Sequence, residues 1–143
     1  MKIKVIDFGY ENLPYRAHEN DAGADVYICM HDRHIDEIGP HKTKKIPLGV
    51  GLILPDGYMA CVYPRSGLAS NGIVCEIPPI DSGYRNEVSC ILHNNSDTDY
   101  WVNGGDRVCQ LVFIPIATPQ LVERHDFEKV PKRGKGGFGS TGK

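Results

Sequence analysis

Short runs in which apolar and polar residues alternate, or in which apolar and β-branched residues dominate, recur along the chain. Such runs are typical of β-strands, whose successive side chains point to opposite faces of a sheet. The runs cover residues 3–7, 24–30, 44–54, 58–63, 87–93, 107–116 and 120–125. Pro55-Asp56-Gly57 separates two of them and predicts a turn. Helical character is confined to one turn at Ser66–Ser70, so the pattern predicts an all-β fold, a sandwich or a jelly roll.

Composition supports a single small β domain. Of the 143 residues, 16 are glycine and 10 are proline, and both types are unfavourable inside helices. A chain of this length is typical of one domain, which we expect over residues 1–131, followed by a flexible, Gly-rich tail over 132–143. The net charge is −2, whereas a broad nucleic-acid-binding surface usually brings a basic excess, so we expect no nucleic-acid partner.

The cysteine spacing and the apolar runs predict a cytoplasmic protein. The five cysteines are odd in number and contain no CxxC pair, which argues against a disulfide framework and a zinc site and favours buried thiols in a reducing compartment. The first seven residues lack the continuous apolar stretch of a signal peptide. The longest uncharged run, 108–122, is broken by polar residues and prolines and is too short to span a membrane, so we expect no membrane partner.

Two segments carry groups suited to a metal ion and to an anion. Asp21 and Asp25 flank Gly23 at the start of a predicted strand, where they could face a metal ion or simply cap a turn. Arg65 and the Ser66-Gly67 pair open the helical turn, where a guanidinium, a hydroxyl and backbone N–H groups could bind an anion. An ordinary N-cap is the alternative there, and no GxSxG pattern surrounds Ser66 to support a serine nucleophile.

Two further segments place polar residues beside a turn. In Ile80-Asp81-Ser82-Gly83-Tyr84, the Ser82-Gly83 pair predicts a hairpin tip, with Asp81 able to orient a water molecule and Tyr84 able to stack on a ring. A hairpin turn without chemistry is the alternative.

The segment 105–111 is a turn followed by a buried strand with one polar residue, Gln110. Taken alone, its neighbours Asp106 and Arg107 are expected to form a surface ion pair.

The C-terminal segment 133–143 contains one aromatic residue, Phe138, among five glycines. Residues 137–143 match GxxxxGK, but no Ser, Thr or helix follows as a P-loop requires. Glycines let backbone N–H groups approach phosphates, Arg133 and Lys135 add positive charge, and Phe138 offers a stacking face. The composition therefore indicates a phosphate- and base-binding tail.

In this order and at this spacing, the five segments resemble the five motifs of the trimeric deoxyuridine triphosphate nucleotidohydrolases, the dUTPases. The resemblance runs from about Asp21 to Lys143. It implies a jelly-roll β-barrel and a homotrimer with three shared active sites. It also implies Mg²⁺-dependent hydrolysis of dUTP to dUMP and pyrophosphate, which keeps uracil out of DNA and supplies dUMP for dTMP synthesis.

The resemblance also implies roles for individual residues. Asp81 would be the catalytic residue that orients the attacking water and contacts the 3′-hydroxyl, and Asp25 would hold Mg²⁺ through water. The remaining matched positions would bind substrate: Arg65, Ser66, Gly67 and Gln110 on the phosphate side, Tyr84 against the deoxyribose, Arg133, Ser140 and Thr141 at the γ-phosphate, and Phe138, with Gly139, over the uracil. The family reads uracil through the hairpin main chain, so the backbones of Cys75 and Ser89, which are equidistant from Ser82 and would face each other across the hairpin, would contact the base edge. Ile80 would also bind substrate.

The sequence departs from the family pattern in the hairpin. Pro78 stands where the family usually has glycine and is followed by Pro79, and neither can donate an N–H, so this arm must be paired differently. Asn86 replaces another usual glycine, and some bacterial relatives have Asn where Cys75 stands.

Two other functions are compatible with parts of the sequence. The related dCTP deaminases would need a catalytic glutamate in place of the Asp81–Tyr84 arrangement. A non-catalytic, nucleotide-gated regulatory protein is disfavoured by the intact Asp81 and tail, although a second, protein-binding role is compatible with the sequence.

Overall fold

Ten β-strands and one short helix make up the part of the chain that the computed structural model describes, residues 1–11, 13–28 and 35–125. The strands are β1 (Lys4–Asp7), β2 (Gly23–Tyr27), β3 (Ile35–Ile38), β4 (Thr43–Pro47), β5 (Val50–Ile53), β6 (Tyr58–Pro64), β7 (Ile73–Glu76), β8 (Ser89–Asn94), β9 (Tyr100–Asn103) and β10 (Arg107–Pro115). The helix is α1 (Ser66–Ser70), the turn that the sequence predicts.

The strands form four antiparallel sheets around one core. Two sheets have three strands, in the orders β2-β10-β6 and β4-β8-β7, and two have two strands, β1-β5 and β3-β9. Each sheet contributes residues to a single buried cluster, for example Val26, Leu52, Leu92 and Val102. The predicted all-β class is therefore confirmed, and within the described residues the four sheets are not joined into one closed barrel.

Most predicted runs correspond to strands, and the differences have local causes. The run 44–54 is two strands, because Gly49 adopts a φ of +70° between them and β4 and β5 pair with different partners. The prediction of a strand at 120–125 is wrong, since this stretch is irregular and Leu121 is 92% exposed. The sequence pattern missed β3, β7 and β9, which have four residues each and are too short to show a period.

The Pro78-Pro79 pair marks the point where one hairpin arm leaves its sheet. β7 pairs with β8 only as far as Glu76, which lies opposite Ile91. After the prolines the chain does not resume pairing with β8. Instead Ile80, which directly follows Pro79, is bridged to Ala60 of β6, with its N–H 2.8 Å from the Ala60 carbonyl oxygen. The expectation that this arm is paired differently is confirmed, because proline cannot donate to the β8 ladder.

This register corrects one prediction about the hairpin. Cys75 lies opposite Leu92 and not opposite Ser89, and Ser89 lies opposite Pro47 of β4. Equal spacing from Ser82 predicted the wrong pair, because the β7–β8 pairing is centred between Gly83 and Tyr84.

The cysteines of the described residues are free and buried, as expected: Cys61, Cys75, Cys90 and Cys109. Burial raises the pKa of the Cys75 thiol to about 11, so this side chain is a protonated, unreactive core residue at neutral pH. Cys29 lies outside the described residues. No helix in the described ranges has both the length and the apolar character needed to cross a bilayer.

Candidate active site

Five of the predicted site residues line one cleft of about 640 Å³, here called the first cleft. These residues are Asp25, Arg65, Ser66, Gly67 and Gln110. They come from β2, from β10 and from the junction of β6 with α1, which the β2-β10-β6 ladder brings together. The sheet therefore unites three of the five motif segments.

Asp25 is the charged centre of the first cleft. Its side chain is 18% exposed, and its two oxygens face two guanidinium groups. Arg65 Nε lies 3.4 Å from Oδ1, and Arg107 Nη1 donates to Oδ2 at 3.4 Å. The carboxylate thus holds two cations at the cleft, both of which could turn to a phosphate.

Arg107 is a cleft residue that sequence reasoning missed. The expected Asp106–Arg107 ion pair is not among the described contacts, since the Asp106 carboxylate accepts from the Asn103 backbone N–H at 2.8 Å. A bulge in β10 between Arg107 and Cys109 shifts the register with β2, and bulges of this kind redirect side chains. Arg107 instead reaches Asp25 across the ladder, a contact between residues distant in sequence.

Gly23 has a specific role that the motif pattern alone did not reveal. A Cβ added at Gly23 would overlap the side-chain amide of Gln110, which lies across the Gly23 backbone. Gln110 Nε2 donates to the Pro64 carbonyl oxygen at 3.4 Å. The glycine therefore leaves room for Gln110 to lie in the cleft between β2 and β6.

The start of α1 presents backbone to the first cleft. Arg65 occupies the N-cap position, with extended φ and ψ and no side-chain cap, so the alternative that Ser66 is an ordinary N-cap is wrong. Ser66 and Gly67 occupy the first turn, where backbone N–H groups have no intrahelical partner. A Cβ on Gly67 would meet no atom within 4 Å, so packing within the chain does not require glycine there.

Four further predicted residues line a smaller cleft of about 210 Å³, here called the second cleft. They are Ile80, Asp81, Tyr84 and Ser89, and Pro78 and Pro79 complete one wall. Two local hydrogen bonds hold the hairpin tip: the Tyr84 N–H donates to the Asp81 carbonyl oxygen at 3.1 Å, and the Arg85 side chain donates from Nη1 to the Ser82 carbonyl oxygen at 2.6 Å. Asp81 is exposed, and Tyr84 is 39% exposed.

Among the other predicted site residues, Cys75 lies in the part of the chain that the structure describes. Cys75 is buried among core residues and lines neither cleft. The tail residues lie outside the described residues: Arg133, Phe138, Gly139, Ser140 and Thr141.

The two clefts of one chain are far apart. β6 ends beside Arg65, whereas Ile80 is bridged to Ala60 in the middle of β6. This bridge is antiparallel, so the chain from Ile80 to Asp81 runs away from Arg65. At about 3.3 Å per residue, the stretch of β6 from Ala60 to Arg65 spans roughly 17 Å. Since the clefts also share no lining residue, Arg65 and Asp81 of one chain are too far apart to act on one phosphate group.

A family model described as dUTPase matches residues 10–142 of this chain. The chain belongs to the dUTPase family. A deoxyuridine 5′-triphosphate nucleotidohydrolase of Anaplasma marginale (strain St. Maries) is 39% identical over 153 residues, covering 99% of each chain. The Staphylococcus bacteriophage 80alpha dUTPase, solved with dUpNHpp, has a TM-score of 0.88 at 28% identity and covers 99% of this chain and 98% of its own.

A third relative bears on metal binding within the dUTPases. The D95N mutant of the dUTPase from phage phi11 of S. aureus has a TM-score of 0.81 at 25% identity and covers 90% of this chain and all of its own. The structure of that mutant reveals the coordination of a structural Mg(II) ion. Together these matches confirm the predicted family, the jelly-roll fold class and the hydrolase class.

Proposed function

We propose that the chain hydrolyses dUTP to dUMP and pyrophosphate in active sites shared between copies of itself. The observation that carries this proposal is the sorting of the family's motif residues into two clefts, one with phosphate-binding groups and one with Asp81 and Tyr84. Membership of the dUTPase family and a relative solved with a dUTP analogue support the nucleotide substrate. The predicted cytoplasmic location and the division into a domain and a tail stay predictions.

The first cleft binds the phosphates. Arg65 and Arg107 supply positive charge, and the Gln110 amide and the first-turn N–H groups of α1 supply directed donors. Gly67, which packing does not require, allows the backbone to approach the triphosphate closely. Charge neutralisation and positioning are the main demands of phosphoanhydride hydrolysis, and no covalent nucleophile is needed.

The residues of the first cleft fit a magnesium ion that is held mainly by the substrate. Asp21 and Asp25 both line the cleft, and carboxylate oxygens are the ligands that Mg²⁺ prefers. The described residues include no group of three or more His, Cys, Asp or Glu side chains placed to hold a metal. Asp25 would hold Mg²⁺ through water, and the ion would neutralise charge on the triphosphate.

Asp81 acts on the attacking water. Asp81 is an exposed carboxylate that lines the second cleft, and it can accept a proton from a water molecule. The hydrogen bond also orients the water so that a lone pair of its oxygen faces the phosphorus. No stable bond to the protein forms in this reaction; the water oxygen bonds to the phosphorus, and pyrophosphate departs.

The second cleft binds the nucleoside. The Tyr84 ring packs against the deoxyribose and leaves no room for a 2′-hydroxyl. Pro78 and Pro79 cannot donate hydrogen bonds and the Ile80 N–H is bonded to Ala60, so donors to uracil come mainly from the β8 arm, where Ser89 lines the cleft. A narrow hairpin cleft would exclude the methyl group of thymine by size, and cytosine would leave main-chain groups unpaired.

The distance between the clefts supports a shared site. Because Arg65 and Asp81 of one chain cannot reach one phosphate, the first cleft needs the hairpin of a second copy. A heterologous contact of this kind closes into a ring, and the family's trimer is the ring that we propose. The tail, residues 132–143, would cover the bound nucleotide.

Complementation between two inactive variants tests the shared site. Arg65→Met damages the first cleft and Asp81→Asn damages the second, so each variant alone should be nearly inactive. In mixed trimers, which contain both variants, about one site in three should combine two intact clefts and recover activity. Pyrophosphate release from doubly tagged, purified oligomers gives the measurement.

A matched mixture serves as the control for complementation. Arg65→Met mixed with Gln110→Leu should recover nothing, because both variants damage the first cleft. Mixed Arg65→Met and Asp81→Asn oligomers without recovered activity would contradict the shared site.

Gly23→Ala should lower activity by displacing Gln110. The added Cβ would overlap the Gln110 amide, so we expect kcat/KM for dUTP to fall by roughly tenfold or more and unfolding free energy to drop by about 1–3 kcal/mol. Steady-state kinetics and thermal unfolding measure both effects. Gly39→Ala is the control, because its added Cβ would lie 3.7 Å from the nearest atoms. Both kcat/KM and the free energy of unfolding should therefore stay unchanged in this variant. Unchanged kinetics in Gly23→Ala would show that Gln110 is not needed in the cleft.

A panel of deoxynucleotides tests the proposed reaction as a whole. We expect pyrophosphate release from dUTP in Mg²⁺, little from dTTP, dCTP and UTP, and loss of activity with a chelator. Ammonia release from dCTP would indicate the deaminase reaction instead.

A further inference from the structure

Glu87 links the hairpin that carries Asp81 and Tyr84 to the rigid turn between β4 and β5. Its side-chain Oε1 accepts the Gly49 backbone N–H at 2.7 Å, in a partly buried position. Gly49 has a φ of +70°, so this turn has a fixed shape that other residues rarely adopt. The neighbouring Val88 is bonded on both sides of the turn, donating to Val50 at 2.8 Å and accepting from Leu48 at 2.9 Å.

Glu87 also contacts Tyr84 directly. The Tyr84 hydroxyl donates to the Glu87 backbone carbonyl oxygen at 2.9 Å. The Tyr84 side chain is partly exposed, and this hydrogen bond helps to fix where the ring stands in the second cleft. The path from Gly49 through Glu87 to the Tyr84 ring therefore consists of two short hydrogen bonds and one residue.

We propose that Glu87 is a positioning residue that sets the sugar specificity of the site by fixing the Tyr84 ring through its backbone carbonyl. The inference rests on the proposed function, in which this ring excludes a 2′-hydroxyl. Without the Gly49 bond, Glu87 is tied to the β4–β5 turn only through the neighbouring Val88 bonds, so its carbonyl, and the ring that the carbonyl holds, have more freedom to shift. The cleft then accepts a ribose more readily and binds deoxyribose less well.

The ratio of kcat/KM for dUTP to kcat/KM for UTP tests this role. Glu87→Met keeps the length of the side chain but loses the acceptor, and the ratio should fall by about tenfold. Glu87→Gln retains an acceptor oxygen, and its ratio should stay within about twofold of the wild type. Glu37→Met, at an exposed glutamate of β3 that lines neither cleft, is the control and should leave the ratio unchanged.

Tyr84→Phe completes the test, because it breaks the same link without altering the carboxylate. We expect a lowered ratio, and the double variant Glu87→Met/Tyr84→Phe should resemble the more affected single variant, since both act through one contact. A lowered melting temperature with an unchanged ratio in Glu87→Met would assign Glu87 a purely structural role and overturn the proposal. Should Glu87→Met not fold, an unchanged ratio in Tyr84→Phe would overturn it. Failure of the wild type to hydrolyse dUTP would instead refute the proposed function.

Discussion

Asp81→Asn is expected to reduce turnover of dUTP by about 10²–10⁴-fold, the usual contribution of a positioned general base. The amide keeps the shape of the carboxylate but cannot take the proton of the attacking water. Asp81 lies at the exposed mouth of the second cleft and is not part of the buried core, so the fold should be unaffected. Binding of a non-hydrolysable dUTP analogue should stay within a few-fold of the wild type, as measured by calorimetry beside pyrophosphate-release kinetics.

A second aspartate, in the β5–β6 turn that contacts the hairpin tip, provides the control for this variant. The Asp56 carboxylate accepts from the Ser82 hydroxyl at 3.4 Å, but Asp56 lines neither cleft. Asp56→Asn should therefore retain nearly full turnover. If Asp81→Asn itself kept turnover within threefold of the wild type, Asp81 would not be the water-orienting residue.

Deletion of residues 133–143 is expected to abolish efficient turnover while leaving the folded domain intact. The deletion removes Arg133, the stacking ring of Phe138 and five glycines. Because the tail would then no longer cover the nucleotide and exclude water, kcat/KM should fall by about a hundredfold or more. Every residue of the buried cluster lies between Val26 and Leu111, so the melting temperature should change little.

The matched control keeps the length of the tail and changes its chemistry. Replacing residues 133–143 by a Gly/Ser linker of the same length should be as inactive as the deletion, because charge and the aromatic ring are both lost. A truncated protein with normal kinetics would refute the role of the tail as a substrate cover.

The sequence predicts local features of this fold well and long-range pairing poorly. β1, β6, β10 and α1 follow from alternation and turn residues that are neighbours in the chain. Register depends on contacts between distant residues, so the sequence spacing predicts Cys75 opposite Ser89, whereas the structure pairs it with Leu92. The run 120–125 has strand character but no partner strand in the described part of the chain.

The candidate site shows the same division. Asp25, Arg65 and Gln110 are recognisable because each stands in a short motif. Arg107 and Gly23 were missed as functional positions because their roles arise from contacts with residues far away, Asp25 in one case and Gln110 in the other. A glycine at the start of a predicted strand is the one signal that could have indicated Gly23, since glycine beside or within a strand often marks the close approach of another group.

The pairing of β2 with β10 has a consequence for how the protein folds. Asp25 lies opposite Gln110, so this ladder closes a loop of about 85 residues, and pairings of such long range are slow to form. On a ribosome, β2 must wait for nearly the whole domain to be synthesised before its partner exists. The first cleft is therefore among the last parts of the described fold to assemble, and a nascent chain has no such phosphate-binding cleft until β10 has docked against β2.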